Sequence, residues 1–513
     1  MMTEPFSSHA CQTLAVVPIF VNAGAALVPT LVASLTSVIA VLLKPNELLA
    51  LFRRKPWVPL AVISIGVGLW FGIAHLLSSP AQAAQTNKKT PDRTMTGYSI
   101  PKEDWTDLAM RLIAAERAIR ITPVWNYVPD ETAMVLSSPA YADKSNRVFG
   151  TAAVQDVASF FGVLYALDAN TGKEIWKVDK AGDEDLKAFF SSPALTPDQK
   201  YLIVGQGLHE DDNCSLLCFD TSTHELKWKV KTPLHIESSP AIHGDLAVVG
   251  AGAIEDANHK PKTHPGYVLA VRISDGKELW KHDVADPESS PAISDDGIAY
   301  IGSGFNGNAV VALRSETDLE LKAKNLPREL WKTKAPYPIT GPVTLDGDLV
   351  LVGGGNSDFV YADPHPAGVV MALDRKTGTV KWQAPMEDSV LSRIVVSNGK
   401  VFCPVRNGNV VALNLTDGKP AWTQSVSGKA PLKAGLAVSK DGATLFAASS
   451  DGYLALLNST DGKIIERQEL NNKAKPGEKG LTLSTPALAG DKLFIGSETG
   501  GLRAFQAVSA TPK

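Results

Sequence analysis

Cysteine is scarce in this chain, with four in 513 residues and no two adjacent. Only Cys214, Cys218 and Cys403 lie beyond the first hundred residues. On an extended strand Cys214 and Cys218 would stand about 13 Å apart, too far for a disulfide. Each is expected to be free and buried, and a disulfide-stapled fold is excluded. No Cys-x-x-Cys-His haem site, Gly-x-x-x-x-Gly-Lys phosphate loop or His-Glu-x-x-His zinc helix occurs. The chain has 50 Lys and Arg against 54 Asp and Glu, so no basic excess points to nucleic acid. Charge is missing altogether from Leu14 to Leu43, and from Trp57 to Leu77 if His75 is neutral.

Those two uncharged runs are long enough to cross a bilayer as helices, which takes about 20 apolar residues. Pro18, Asn22 and Pro29 confine the first helix to about residues 21–43, and the second spans 57–77. Lys44, Arg53, Arg54 and Lys55 lie between them, while the tail 1–13 has no Lys or Arg. The positive-inside bias therefore puts the 44–56 loop in the cytoplasm, with the N-terminus and everything after residue 77 outside. The competing reading of the second run is a signal sequence cleaved near Ala81-Gln82-Ala83, but the apolar core is too long for one. Cys11 precedes the apolar stretch, so it does not fit a lipid anchor. Residues 78–121 read as a polar linker, with one amphipathic helix within Asp104–Ile119 carrying Trp105, Leu108, Leu112 and Ala115 at helical spacing.

What is abundant is repetition. Trp125, Trp176, Trp228, Trp280, Trp331, Trp382 and Trp422 follow one another at intervals of 51 or 52 residues, the last interval being 40. A period of this size marks a stacked or radial array. Ala166-Leu-Asp-Ala-Asn-Thr-Gly-Lys-Glu-Ile-Trp176 recurs as Ala372-Leu-Asp-Arg-Lys-Thr-Gly-Thr-Val-Lys-Trp382 and as Ala412-Leu-Asn-Leu-Thr-Asp-Gly-Lys-Pro-Ala-Trp422. Two further β-rich runs precede each Trp, broken by Gly-Asp, Asp-Gly or Thr-Gly, which signal antiparallel strands and tight turns. Each repeat thus reads as four strands, A to D, with the Trp on D.

Strand A can be counted independently, near Ser138, Ser192, Ser239, Ser290, Gly341, Ser392, Ala434 and Thr485, which makes eight. The eighth copy runs out of chain before any D strand, while Trp125 lies in a D-like segment with no A, B or C ahead of it. Together they make one blade, so the ring closes by pairing residues 122–128 with the C-terminal repeat. The expected fold is all-β: an eight-bladed propeller over residues 122–508, followed by a 509–513 tail.

The recurring Ala-x-Asp-x-x-Thr-Gly-x-x-x-Trp motif resembles that of the PQQ-type, or tryptophan-docking, β-propellers. These include quinoprotein alcohol dehydrogenases and the outer-membrane assembly lipoprotein BamB. The resemblance implies that each Trp packs between adjacent blades. Departures are His224 at the Gly position, a nine-residue insertion between Ala312 and Trp331, and Glu466 where the seventh copy should carry Trp. Weaker blade contacts are expected there, with the same fold.

The dehydrogenases of this family use adjacent cysteines over the quinone, a calcium ion and an aspartate base. This chain has no such cysteine pair, so neither PQQ nor calcium is expected and no catalytic residue is assigned. Gly302-Ser-Gly304-Phe-Asn-Gly307 matches a dinucleotide fingerprint, but a strand follows it where a helix is needed, so it reads as a hairpin turn.

The loops differ between copies. Strand B–C and D–A loops open on one face, and the B–C loops of blades two, three and five are long (208–215, 251–266 and 354–367). They carry His209, Glu210, Asp256, His259, Asp363 and His365, while His235, Glu237 and Glu288 stand just before strand A of blades three and four. The corresponding residues elsewhere are read as Leu136, Phe190, Ile339, Val390, Leu432 and Leu483, all apolar. Solvated surface loops are polar without any function. The sharper reading is a binding rim for a partner or a cation, although no spacing fixes a metal.

The sequence thus reads as a membrane-anchored, extracytoplasmic scaffold for a protein partner in the cell envelope, BamB-like, without nucleic acid. The alternatives are a PQQ-dependent dehydrogenase, a small-ligand or cation binder at the channel mouth, and a polymer bound along a blade edge.

Overall fold

In the computed structural model the described residues are 119–509, apart from 157, 158, 210, 254–260, 263, 429 and 471–481. The expected membrane helices and the linker before residue 119 lie outside them. Among the described residues no helix is long and apolar enough to cross a membrane.

Eight antiparallel sheets follow one another along the chain, one per repeat. Blade three is typical, with strands Ala241–His243, Leu246–Ala251, Tyr267–Arg272 and Glu278–Asp283 paired in chain order. Strands B and C are buried on both sides in every blade, as in Leu349–Gly355 and Gly368–Asp374. Neighbouring blades cover both faces, and this is why these strands read as unbroken Val, Leu, Ala and Gly runs rather than as alternating ones. Strand D lies at the rim and alternates, as in Val380–Met386. Residues 304–308 turn between Ile298–Ser303 and Ala309–Arg314, the hairpin expected of the glycine pattern.

The last blade is made from both ends of the chain. Ile119–Tyr127 pairs antiparallel with Gly501–Ser509 as its outer strand, starting three residues before the segment read from the sequence and overrunning the end of the proposed helix. Near the axis a second contact crosses the same junction, where the Thr485 amide donates to Ser138 Oγ at 2.9 Å. That bond belongs to a relay in which the Ser138, Ser192 and Ser239 amides donate to the hydroxyls of Ser192, Ser239 and Ser290 at 2.9 to 3.0 Å.

The motif residues account for the blade-to-blade contacts. Asp374 Oδ1 accepts the Lys376 and Thr377 amides and the Thr377 hydroxyl, at 3.0 to 3.1 Å, fixing the C–D turn. The next residue, Gly378, has φ +70, and a Cβ there would lie 2.6 Å from the Trp331 indole. Trp331 of the preceding blade thus lies flat on the turn and donates to the Arg375 carbonyl at 3.0 Å. All seven tryptophans repeat this bond, to the carbonyls of Ala169, Thr221, Ile273, Ser315, Arg375, Leu415 and Ser459.

The three departures keep the fold by substitution. His224 adopts φ 56 and sets its ring 5.8 Å from that of Trp176. The insertion forms helix α1, Asp318–Lys324, closed at its N-terminus by the reciprocal Thr317–Glu320 capping box. Arg328 after it lies 4.4 Å over Trp280, taking the place of the missing turn glycine. Glu466 accepts the Ile121 amide at 3.3 Å, and Gln468 donates to the Ile121 carbonyl at 3.3 Å, so two side chains hold the closing strand where an indole is absent.

Candidate functional site

Blade geometry brings the D–A and B–C loops to one end of the axis, where they enclose a cavity of about 1010 Å³. Each blade contributes the residue four places before the first paired residue of strand A. Ala140, Ala194, Ala241, Ala292, Thr344, Val395, Ala437 and Ala487 are those first paired residues. The equivalent mouth positions are therefore Leu136, Phe190, Glu237, Glu288, Thr340, Leu391, Lys433 and Leu483. All except Lys433 line the cavity directly. This corrects the sequence alignment in blades five to seven, where Ile339, Val390 and Leu432 lie one residue too early and are buried between blades. The positions outside blades three and four are consequently not all apolar.

On one wall four ionisable groups converge. His209, from the blade-two B–C loop, has Nδ1 3.1 Å from Glu288 Oε1. His235, fully buried, has Nε2 2.8 Å from the same oxygen. The two imidazoles are 5.2 Å apart, centroid to centroid. Burial alone would raise the Glu288 carboxyl, but the two histidine bonds outweigh it and hold Glu288 well below the usual range. The Glu288 bond pushes His209 up to about 10. For His235 burial favours the neutral ring, yet Glu288 and Glu237 prevail and raise it. Burial, reinforced by the charge of Glu288, raises Glu237. Glu237 and Glu288 both line the cavity, and the two histidines compensate the Glu288 carboxylate. Glu210, Asp256 and His259 lie outside the described residues. Asp363 and His365 sit on the blade-five loop, where Asp363 accepts the His365 amide at 2.7 Å, and neither lines the cavity.

The opposite side carries basic residues that the sequence reading missed. Arg393, at the ring place held by Ser290 in blade four, points into the cavity. It is open to solvent through the cavity, yet the enclosing walls desolvate its guanidinium and lower its pKa, and no hydrogen bond or ion pair is found for that guanidinium among the described residues. Lys433 and Arg406 reach the blade-five loop from blades seven and six. Lys433 Nζ donates to the Phe359 carbonyl, and Arg406 Nε donates to the Asp358 carbonyl at 2.9 Å. Arg406 also pairs with Asp388 at 3.7 Å. Held in this way, Asp358, Phe359, Val360 and Tyr361 border the mouth, and Phe359 meets Phe190 of blade two edge-on at 5.6 Å. Val360 and Tyr361 are 70% and 75% exposed, large apolar surfaces presented to solvent on a braced loop.

Cys214, Cys218 and Cys403 are free and buried, as expected. Burial pushes Cys214 and Cys218 up to about 12, so neither offers a thiolate near neutral pH.

The family model described as outer membrane protein assembly factor BamB matches residues 144–362 and 318–512. The chain is 23% identical over 356 residues to the BamB of Yersinia pestis, covering 67% of this chain and 80% of that protein. It is 23% identical over 335 residues to a quinohemoprotein alcohol dehydrogenase of Pseudomonas putida, covering 60% of this chain and 44% of that one. The crystal structure of BamB from Moraxella catarrhalis superimposes with a TM-score of 0.53 at 15% identity, over 75% of this chain and 100% of that one. At that identity the likeness speaks for the fold alone.

Proposed function

The chain belongs to the family of the outer membrane protein assembly factor BamB, and we propose that it is a cell-envelope scaffold whose propeller docks a polypeptide partner at the loop-bearing mouth. The observation that carries this reading is the blade-five loop. Val360 and Tyr361 stand exposed at the cavity mouth on a segment fastened by Arg406 and Lys433. Exposed apolar side chains on a pre-ordered loop favour binding because little conformational entropy remains to be lost. The partner suited to this face offers apolar side chains to Val360 and Tyr361. The relatives named as assembly factors support a role in outer-membrane protein assembly. Anchoring by helices at 21–43 and 57–77, with the propeller outside the cytoplasmic membrane, is part of the same proposal and rests on the charge asymmetry around residues 44–55.

Crosslinking in intact membranes followed by recovery of the full chain tests the docking face. A specific polypeptide should be recovered, with at least tenfold less in a Val360→Asp, Tyr361→Asp variant of unchanged thermal stability. Equal recovery by that variant refutes the face. A reporter fused at residue 90 should be active outside the cytoplasm, and a cytoplasmic signal refutes the orientation.

One observation favours a second reading. A cavity of about 1010 Å³ on the axis, with a histidine–glutamate cluster on one side and Arg393 on the other, has the size of a small-ligand site. A dipolar ligand would fit it better than an apolar one.

A further inference from the structure

We propose that His209, His235 and Glu288 form a zinc-type divalent cation site on one wall of the channel mouth. The inference goes beyond the scaffold reading and does not rest on it.

The donor set has the right chemistry. Two imidazole nitrogens and a carboxylate oxygen are the ligand types of three-ligand zinc sites, which keep a fourth position for an external donor. The geometry is close to what such an ion requires. His209 Nδ1, His235 Nε2 and a Glu288 oxygen all lie within 4.8 Å of one another. The two nitrogens already aim at one oxygen, at 3.1 and 2.8 Å. With metal–ligand bonds of about 2.0–2.2 Å, tetrahedral donors stand roughly 3.3 Å apart. Shifts of a few tenths of an ångström at Glu288, and a somewhat larger one between the imidazoles, would admit the ion.

Two independent features support a built pocket. Gly252, just after strand B of blade three, leaves open the space beside the donors. A Cβ there would lie 2.5 Å from His235 Nε2 and 2.7 Å from Glu288 Oε1. His235 is fully buried and its Nδ1 has no partner among the described residues, so packing and the Nε2 end fix its position there. A cation there would displace the proton that Glu288 and Glu237 favour on His235, and ligand deprotonation of this kind accompanies metal binding to imidazole. The three ligands come from three loops, one in blade two and one each ahead of strand A in blades three and four, so backbone positions hold the set together. His209 and Glu288 line the cavity, which leaves the fourth position facing the channel. Glu237 stands beside it as a second carboxylate. Imidazole-rich donors favour zinc, cobalt or nickel over calcium or magnesium.

The test uses the full chain, stripped with a chelator and titrated with Co²⁺ and then Zn²⁺. One Co²⁺ per chain should bind with the intense visible absorption of a four-coordinate site, and Zn²⁺ should displace it. His209→Ala and Glu288→Gln should each weaken binding at least tenfold. Gly252→Ala should do the same by filling the cradle, with thermal unfolding showing that each variant remains folded. His209 is half-exposed, so its variant keeps the test decisive if Glu288→Gln or Gly252→Ala misfolds. No Co²⁺ bound, a six-coordinate spectrum, or unchanged affinity in the folded His209→Ala variant would overturn the site. Partner recovery from membranes is a separate readout, so failure of either idea can be told from failure of the other.

Discussion

Lys433 holds in blade seven the ring position that Glu237 holds in blade three, each four residues ahead of the first paired residue of its strand A, Ala437 and Ala241. Blades three and seven face each other across a ring of eight, so one repeat position supplies a carboxylate to one wall and an ammonium to the other. Glu237 turns toward Glu288 and the histidines, whereas Lys433 is spent on the Phe359 carbonyl of the blade-five loop.

That use of Lys433 gives the first prediction. A carbonyl bonded to a charged donor contributes about 1.5–3 kcal/mol, and Arg406 adds a second such bond at Asp358. Lys433→Met should loosen residues 357–362 without unfolding the propeller. Hydrogen exchange of the Phe359, Val360 and Tyr361 amides is expected to rise at least tenfold, with strand amides such as Val350 unchanged. Unaltered exchange in the loop would mean that Phe359 against Phe190 suffices to hold it.

Closure is the second. Ile119–Tyr127 completes the last blade, and without it the Gly501–Ser509 strand becomes an unpaired edge and Phe494 loses the Trp125 ring 5.8 Å away. Deleting 119–127 should lower the unfolding temperature of the whole propeller and promote association of the chain. A synthetic peptide of that sequence should restore part of the loss. A transition unchanged by the deletion would show that the ring does not depend on this pairing.

Much of the architecture was legible because the motif carries its own mechanics. Asp and Thr build the turn, Gly admits the indole, and Trp reaches the next carbonyl, so periodicity in the sequence is periodicity in contact. The closing strand could be read from Trp125 for the same reason. The mouth was less legible. In blades five to seven the lead Ser-Ser-Pro becomes Gly341-Pro342-Val343, Ser392-Arg393-Ile394 and Ala434-Gly435-Leu436, and without the serines as a ruler the register slipped by one residue. That slip concealed both Lys433 and Arg393. The meeting of His209 with Glu288, 79 residues apart, depends on the path of a long loop and has no signal in local spacing.

The blade junctions should differ measurably in strength. Trp280 is 2% exposed, bonds the Ser315 carbonyl and lies under Arg328. Trp280→Ala should cost about 3–5 kcal/mol. Glu466→Ala removes the acceptor of the Ile121 amide and of the Gln468 side chain but buries no comparable surface, and should cost about 1–3 kcal/mol. Denaturant unfolding of the two variants under one set of conditions would decide the order, and a larger loss at Glu466 would reverse this account.

Strong acid should loosen the C–D turns. Asp374 is held down at about 2, chiefly by Lys381 and then by the Thr377 amide and hydroxyl. At Asp220 burial opposes this, but the bonds from Ser222 and Thr223 outweigh it, and it too lies at about 2. Both lie below the ordinary 3.8. Their stabilising contribution is therefore complete above pH about 4, and is lost as the pH falls toward about 2. Asn keeps the acceptor oxygen but cannot titrate. Asp220→Asn should accordingly flatten the fall of unfolding temperature across that window while costing little at pH about 7. An identical acid profile in the variant would place the acid-sensitive groups elsewhere.

The last prediction concerns activity. Relatives of this chain include a quinohemoprotein alcohol dehydrogenase, so oxidation of an alcohol through a bound quinone is the enzymatic reading to test. The chain has no adjacent cysteines to lie against a quinone ring. The wall where a metal and a base would be needed presents histidines bound to Glu288, a donor set closer to zinc than to the oxygen-rich cage that calcium requires. Arg393 on the other side could attract an anion, but attraction of a carboxylated ring alone supplies neither the base nor the Lewis acid. Incubating the full chain with PQQ and Ca²⁺, and following reduction of an artificial electron acceptor by primary alcohols, should give no rate above that of a Glu237→Gln, Glu288→Gln variant. Turnover that depends on PQQ and falls in that variant would make the mouth a catalytic site and displace the scaffold as the primary function.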